Sequence, residues 1–107
     1  MVCAKFAYIW QYRIDPACRA EFLAAYAPAG EWARLFARDP AYIETKLLRA
    51  DGDEDTYITI DFWTSKADRD AFRARHGAEF DALDRRCEAW TRQEVSLGDW
   101  FDLPGTD

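Results

Sequence analysis

The clearest hydrophobic pattern in this chain is an alternating stretch from residue 57 to residue 64. One parity carries Ile58, Ile60 and Phe62, and the other carries Tyr57, Thr59, Asp61 and Trp63. Because successive side chains of a strand point to opposite faces, the stretch predicts a strand with one apolar face and one mixed face. We expect the apolar face to pack under helices. We expect the mixed face, with its lone carboxylate among rings, to point toward a partner subunit or a cavity beside it.

Similar patterns predict three further strands and two interrupted helices. The further strands are expected at residues 5–14, 42–50 and 91–101. Asp15 and Pro16 are typical of a helix start, because Asp caps free N–H groups and Pro suits the first helical position. Pro and Gly at 28–30 break this helix, and a short second piece is expected over 31–38. Ser65 is expected to cap the second helical region.

The resulting order, β-α-β-β-α-β, predicts an α+β protein with the ferredoxin-like fold. Four antiparallel strands would form one sheet with both helices on one face, and we expect a single domain over residues 1–107. The sheet face without helices would carry rings from several strands. Since such a surface has to be covered, we expect a homodimer in which two sheets pack face to face.

Aromatic residues are unusually frequent for a chain of this size. They make up 16% of the 107 residues, and five of them are Trp. Large rings are enriched at protein interfaces and in small-molecule pockets, so the composition favours one of these. A core that is simply rich in rings is the alternative, and the composition does not decide between them.

Charge and cysteine content exclude several other classes. The net charge of −6 argues against nucleic-acid partners and against an anionic membrane surface. No apolar run approaches the ~18–20 residues that span a bilayer. The N-terminus lacks a signal-peptide pattern, so we expect a cytoplasmic protein. Cys3, Cys18 and Cys87 are widely spaced and predict reduced thiols rather than a zinc site, and His76 is the only histidine.

Candidate site residues follow from the strand patterns. Asp61 on the mixed face and Gln11 in a central strand are the candidate catalytic residues, because each is a polar group at a half-buried position that needs a partner. Candidate substrate-binding residues are Trp63, Trp32, Tyr42 and Tyr57. Two alternatives remain open. Asp61 would instead form an ion pair with Arg13 or Arg92 that holds the dimer together, and Trp63 would pack at the interface.

Four segments carry a resemblance to a known family. They are the aromatic first strand that ends at Asp15-Pro16, the segment 26–36 (YAPAGEWARLF), the strand 57–65 (YITIDFWTS) and the end strand 91–98. Over about residues 5–101 the chain resembles the antibiotic-biosynthesis monooxygenase family of the dimeric α/β-barrel superfamily. The resemblance implies a dimer with a pocket in each subunit between sheet and helices. It also implies oxygenase chemistry that needs no metal, flavin or haem.

The resemblance implies a small aromatic or quinone-like substrate. An electron-rich phenol or hydroquinone, once deprotonated, can itself reduce O₂, so the protein would supply a base, an apolar box for the ring and hydrogen-bond donors. A small-ligand-binding dimer without turnover is the alternative. Haem-degrading relatives look to need an Asn on the first strand and a His on the second helix. Gln11 stands near that Asn, but His76 falls too early, which disfavours haem degradation.

Overall fold

The computed structural model describes residues 5–104, which form four strands and four α-helices. In chain order these are β1 (Lys5–Ile14), α1 (Arg19–Tyr26), α2 (Glu31–Phe36), β2 (Tyr42–Arg49), β3 (Thr56–Trp63), α3 (Lys66–Arg75), α4 (Gly77–Glu88) and β4 (Thr91–Asp102). A 3-10 turn, Pro16–Cys18, precedes α1. The strands pair antiparallel in the order β2-β3-β1-β4. The predicted α+β, ferredoxin-like fold is therefore confirmed.

The structure confirms the two predicted helix starts, at Asp15 before α1 and at Ser65 before α3. The Asp15 side chain accepts a hydrogen bond from the Ala17 amide at 3.0 Å. Ser65 Oγ accepts one from the Asp68 amide at 3.1 Å. Each contact satisfies an amide that the first turn leaves without an intrahelical partner. The helix bounds differ slightly from the prediction, since α2 ends at Phe36 rather than at residue 38.

The break between α1 and α2 requires a glycine. Gly30 is the N-cap of α2, and its amide bonds to the carbonyl of Ala27 at 2.8 Å. A Cβ atom on Gly30 would lie 2.7 Å from the carbonyl oxygens of both Ala24 and Ala25. Those oxygens belong to the backbone of α1 and cannot move aside easily. The chain therefore turns back tightly against α1, and this turn sets the position of α2 over the sheet.

The main core lies between the helices and one face of the sheet. Its most deeply buried side chains are Phe6, Ile14, Phe22, Trp63, Phe72 and Cys87. Phe36 of α2 contacts Trp63 of β3 edge-on, with 5.5 Å between ring centroids, and Phe72 of α3 at 5.6 Å. Rings from both helical segments therefore meet on β3, so the interrupted helices are held to the sheet by aromatic packing.

The predicted assignment of the two faces of β3 is wrong. Tyr57 and Trp63 lie on the helix-covered face, where Tyr57 packs on Phe22 at 5.1 Å and Trp63 packs on Phe72 at 5.2 Å. Asp61 shares this face, because it alternates with Phe62 in the strand. Alternation separates the two sets of side chains but does not say which set faces inward. A cavity under the helices supplies the environment that a polar residue needs there.

The apolar set of β3 lies on the opposite face, which no helix of residues 5–104 covers. Ile58 and Ile60 are half-buried there. The ring of Phe62 is flanked by the ammonium groups of Lys5 and Lys46, each 5.7 Å from its centroid. We call this surface the open face. Its other apolar members are Ile9, Leu48, Val95 and Trp100. Leu48 is 49% exposed and Trp100 54% exposed.

Gly98 lies at an irregularity in β4. The pairing register with β1 shifts between Ile9 and Trp10, so that Leu97 is an extra residue between Ser96 and Gly98. Gly98 has φ of +91°, a conformation that side chains disfavour.

No helix within residues 5–104 is both long enough and apolar enough to cross a membrane.

We predict that Gly30→Ala destabilises the fold, because the new methyl group meets backbone oxygens of α1. Overpacking of this kind costs about 1–3 kcal/mol in the free energy of unfolding, measured by urea denaturation. Gly77→Ala is the matched control, since no atom lies within 4 Å of its Cβ position. Equal unfolding free energies for the two variants would contradict the tight turn.

Candidate functional site

A cavity of about 130 Å³ lies between the helices and the centre of the sheet. The strands, which form its floor, contribute Tyr8, Trp10, Tyr12, Thr45, Thr59 and Asp61, and β4 adds Glu94 at its mouth. The helices, which form its roof, contribute Tyr26, Trp32, Phe36 and Phe80, and they add Arg73 and Asp84 at its mouth. More than half of these residues are aromatic. The volume is similar to the ~150 Å³ of an engineered apolar cavity that binds benzene, so the closed part of the site fits one aromatic ring.

Asp61 is the buried carboxyl group of this cavity. Its residue is only 6% exposed. Oδ1 accepts a hydrogen bond from the Thr45 hydroxyl at 2.6 Å, and that hydroxyl oxygen lies 2.7 Å from the hydroxyl of Tyr42. The Thr45 hydroxyl has one hydrogen, which it donates in the hydrogen bond to Asp61. Tyr42 is therefore the donor in the hydrogen bond between Tyr42 and Thr45. Oδ2 accepts no hydrogen bond from the described residues, so it is available to a ligand.

The pKa of Asp61 is raised from 3.8 to about 7. The main cause is burial, which disfavours the charged form. The hydrogen bond from Thr45 and the nearby guanidinium of Arg69 lower the pKa, but they offset burial only in part. At neutral pH the group is therefore present in both protonation states, as a general base for a weakly acidic substrate requires.

Thr45 reaches Asp61 because β2 contains a bulge. Strict alternation predicts that Tyr42 and Thr45 point to opposite faces. The pairing with β3 instead runs from Tyr42 opposite Trp63 to Glu44 opposite Phe62, with Ile43 as the extra residue. The bulge turns Tyr42 and Thr45 to the same face. Thr45 was therefore missed by sequence reasoning, since nothing in the local sequence marks Ile43 as a bulge.

Tyrosines line the cavity in their protonated form. The pKa of Tyr8 is raised above its usual value, mainly by burial and secondly by Asp61. Burial is likewise the main cause that raises the pKa of Tyr12 and of Tyr26. These phenols keep their protons at neutral pH and act as donors rather than as bases.

The mouth of the cavity carries charged groups of both signs. The Arg73 guanidinium lies 4.4 Å from the centroid of the Phe80 ring, a cation–π arrangement. Burial raises the pKa of Asp84 and of Glu94, and nearby Glu88 raises both further. The cavity is thus apolar in its walls, acidic at its floor and mixed in charge at its mouth.

The structure brings some predicted site residues together. Asp61 and Trp32 both line the cavity, and Trp32 packs against Phe80 with 4.8 Å between centroids. Tyr42 does not line the cavity, but its hydroxyl is linked to Asp61 through Thr45. These three predicted residues therefore belong to one arrangement.

Gln11, Trp63 and Tyr57 are placed outside the cavity. Gln11 pairs with Ile58 and points to the open face of the sheet. Trp63 is fully buried among core rings. The Tyr57 hydroxyl accepts a hydrogen bond from Arg19 at 2.7 Å. Alternation places Trp63 and Tyr57 on the same face as Asp61, but they lie at the two ends of β3 while the cavity lies over its middle.

The alternative ion-pair partners of Asp61 lie elsewhere. Arg13 is exposed on the open face, and Arg92 lies 3.7 Å from Asp15. His76 separates α3 from α4, where its ring packs on Phe72, and it does not line the cavity. Among residues 5–104, no three His, Cys, Asp or Glu side chains are grouped as metal ligands.

Comparison with known proteins gives a consistent family. A sequence model of the antibiotic biosynthesis monooxygenase family matches residues 6–82. No curated protein sequence matches the chain. Among solved structures, a mutant of SnoaB, a cofactor-independent oxygenase from Streptomyces nogalater, is 22% identical, with 92% of each chain covered and a TM-score of 0.75.

Two further solved structures show the same fold at lower identity. A Nitrosomonas europaea protein is 12% identical over 100% of this chain and 98% of its own, with a TM-score of 0.77. PA3566 from Pseudomonas aeruginosa is 16% identical over 97% and 99%, with a TM-score of 0.66. The structural matches establish the fold, and the sequence match over most of the chain establishes the family. This chain belongs to the antibiotic biosynthesis monooxygenase family.

Proposed function

We propose that this protein is a cofactor-independent oxygenase that oxidises a small phenol- or quinone-type aromatic compound with O₂. The observation that carries the proposal is Asp61, a buried carboxyl with a pKa of about 7 and one free oxygen, at the floor of a ring-lined cavity. The fold shared with SnoaB, which is a cofactor-independent oxygenase, supports the same chemistry.

Asp61 acts as the general base in this proposal. It removes the proton of a substrate hydroxyl through Oδ2, and the electron-rich anion then reduces O₂. In the overall reaction, a ring carbon that carries hydrogen becomes a quinone carbonyl. One oxygen atom of O₂ enters the product and the other leaves as water, whose two hydrogens come from the substrate O–H and C–H. Burial of Asp61 matches its pKa to neutral pH, where a base is most effective.

The cavity walls fix the ring in this proposal. Trp32 on α2 and Phe80 on α4 cover the ring from the helix side, and Tyr42 holds Thr45 in the orientation that leaves Oδ2 of Asp61 free. A single ring fits the closed part of the cavity, so the remaining rings of a larger substrate extend through the mouth beside Arg73. Water is excluded from the reacting carbon by the same walls.

Two copies of the chain pair through the open face in this proposal. The open face carries apolar side chains on all four strands, from Leu48 on β2 to Trp100 on β4. Apolar side chains grouped on an uncovered surface are typical of an interface between subunits. The side chains on the other face of the sheet already pack under the helices, so a second sheet covers the open face without disturbing the cavity.

We predict that the purified protein consumes O₂ with hydroquinones or anthrones when no cofactor is added. The rate should rise with pH through about 7 as Asp61 ionises, and Asp61→Asn should lower kcat by on the order of 100-fold or more. A blank without protein at the same pH corrects for uncatalysed oxidation. Tight binding of a quinol with no O₂ uptake would instead identify a ligand-binding protein, and a haem absorbance shift would identify a haem protein.

We predict that Asp61→Asn makes the protein more stable at alkaline pH. The folded-state pKa of Asp61 lies above 3.8, so the stability contributed by the protonated carboxyl is complete at low pH and is lost as pH rises through about 7. The difference in unfolding free energy between Asp61→Asn and wild type should shift in favour of the variant by on the order of 4 kcal/mol between pH 4 and pH 8. Unfolding by urea at both pH values measures this. A variant that is destabilised equally at both pH values would indicate a structural role.

We predict that Ile60→Lys yields a monomer, because it places a charge in the middle of the open face. Sedimentation should give twice the chain mass of 12.4 kDa for wild type and the chain mass for the variant. Ala74→Glu, at an exposed position on α3, is the control and should remain dimeric. A monomeric wild type would contradict pairing through the open face.

A further inference from the structure

Tyr8 presents a hydroxyl group that the proposed proton transfer does not use. The residue lines the cavity from β1 and lies directly opposite Asp61 on β3, on the same face of the sheet. Its hydroxyl makes no hydrogen bond to any of residues 5–104. The other cavity tyrosines differ in this respect, since Tyr12 lies beside the Thr59 hydroxyl and Tyr26 beside the Cys87 thiol. A phenol that has no partner among residues 5–104, in a cavity that also holds a buried carboxyl, can donate a hydrogen bond to a ligand there.

Arg69 holds the Tyr8 ring in place. Its guanidinium carbon lies 4.7 Å from the centroid of the Tyr8 ring. The guanidinium is itself fixed by Asp70, at 2.8 Å on the same helix, and by Asp99 of β4, at 3.8 Å. The Arg69 side chain is only 12% exposed. The Tyr8 ring therefore packs against a guanidinium group whose position is fixed by two carboxylates. This packing limits the positions that the Tyr8 hydroxyl can take.

Burial keeps Tyr8 protonated. Burial is the main cause that raises the pKa of Tyr8, and Asp61 and Asp84 raise it further. Arg69 and Arg73 act in the opposite direction but do not cancel burial. Tyr8 thus donates a hydrogen bond in either protonation state of Asp61. Asp61 becomes uncharged when it takes up a proton, so the new negative charge in the cavity then belongs to the substrate.

We propose that Tyr8 is a second catalytic residue, which donates a hydrogen bond to the substrate oxyanion formed when Asp61 removes the proton. The proposal rests on the proposed function, because it assigns a role within the same reaction. The proton moves from the substrate hydroxyl to Oδ2 of Asp61, and Tyr8 keeps its own proton throughout. Arg69 is a positioning residue that acts through Tyr8. A hydrogen-bond donor beside developing charge in a cavity with apolar walls stabilises the anion more than its neutral acid.

Binding of a phenolate tests the proposal without turnover. Asp61→Asn represents the site after proton transfer, because the neutral amide stands for the protonated carboxyl. We measure 4-nitrophenol binding to this variant by the visible absorbance of the phenolate, as a function of pH. The same titration on Asp61→Asn/Tyr8→Phe should show phenolate binding weakened about tenfold or more, with binding of the neutral phenol nearly unchanged. The pKa of the bound phenol should rise accordingly.

Asp61→Asn/Tyr57→Phe is the matched control, since it removes a buried tyrosine hydroxyl outside the cavity. It should bind the phenolate as Asp61→Asn does, and thermal unfolding should show that all variants are folded. Equal phenolate affinity with and without the Tyr8 hydroxyl, or no binding of either form of the probe to Asp61→Asn, would overturn the proposal. A wild-type protein that oxidises no quinol, while Tyr8 still selects the phenolate, would contradict the proposed function alone.

Arg69→Gln separates positioning from direct contact. In the Asp61→Asn background it should weaken phenolate binding, and the loss should be much smaller when Tyr8 is already Phe. Such coupling in a double-mutant cycle shows that Arg69 acts through Tyr8. An additive loss, equal in both backgrounds, would show that Arg69 acts on the ligand independently and would overturn its role as a positioning residue.

Discussion

The hydrogen bond from Thr45 to Asp61 connects the fold of this protein to its chemistry. A carboxyl group buried between the sheet and the helices is costly to ionise, and one donor at 2.6 Å compensates for only part of that cost. The result is an acid poised near neutrality with one oxygen free. Its surroundings follow from this requirement, because a protein that buries such a group must enclose it with well-packed apolar walls. The rings of β1, α2 and α4 form those walls.

The broken helices explain how an enclosed cavity coexists with a dense core. The turn at Gly30 redirects the chain, so that Phe22 of α1 packs on Tyr57 near the start of β3, while Trp32 and Phe36 of α2 line the cavity. The same packing that stabilises the fold thus leaves room for one ring beside Asp61.

Much of the fold could be predicted from the sequence, since alternation, helical spacing, caps and the break at residues 28–30 are local signals. The orientation of β3 could not. Alternation predicts that Ile58 and Ile60 pack under the helices and that Asp61 points away from them, yet the mixed set with Asp61 faces the helices. Two long-range facts decide this, namely the cavity on one side and an apolar open face on the other. The bulge at Ile43, which turns Thr45 toward Asp61, and the placement of Arg69 over Tyr8 also depend on contacts between distant segments.

The central claim is that Asp61 titrates near neutral pH because it is buried beside a ligand cavity. Carbon-13 NMR of the labelled side-chain carboxyl measures its pKa directly, with Asp61→Asn identifying the resonance. We expect a midpoint at about 7, and a still higher midpoint in Thr45→Val, which lacks the hydroxyl that stabilises the charged form. A midpoint near 3.8, the value of an exposed aspartate, would contradict this account of the site.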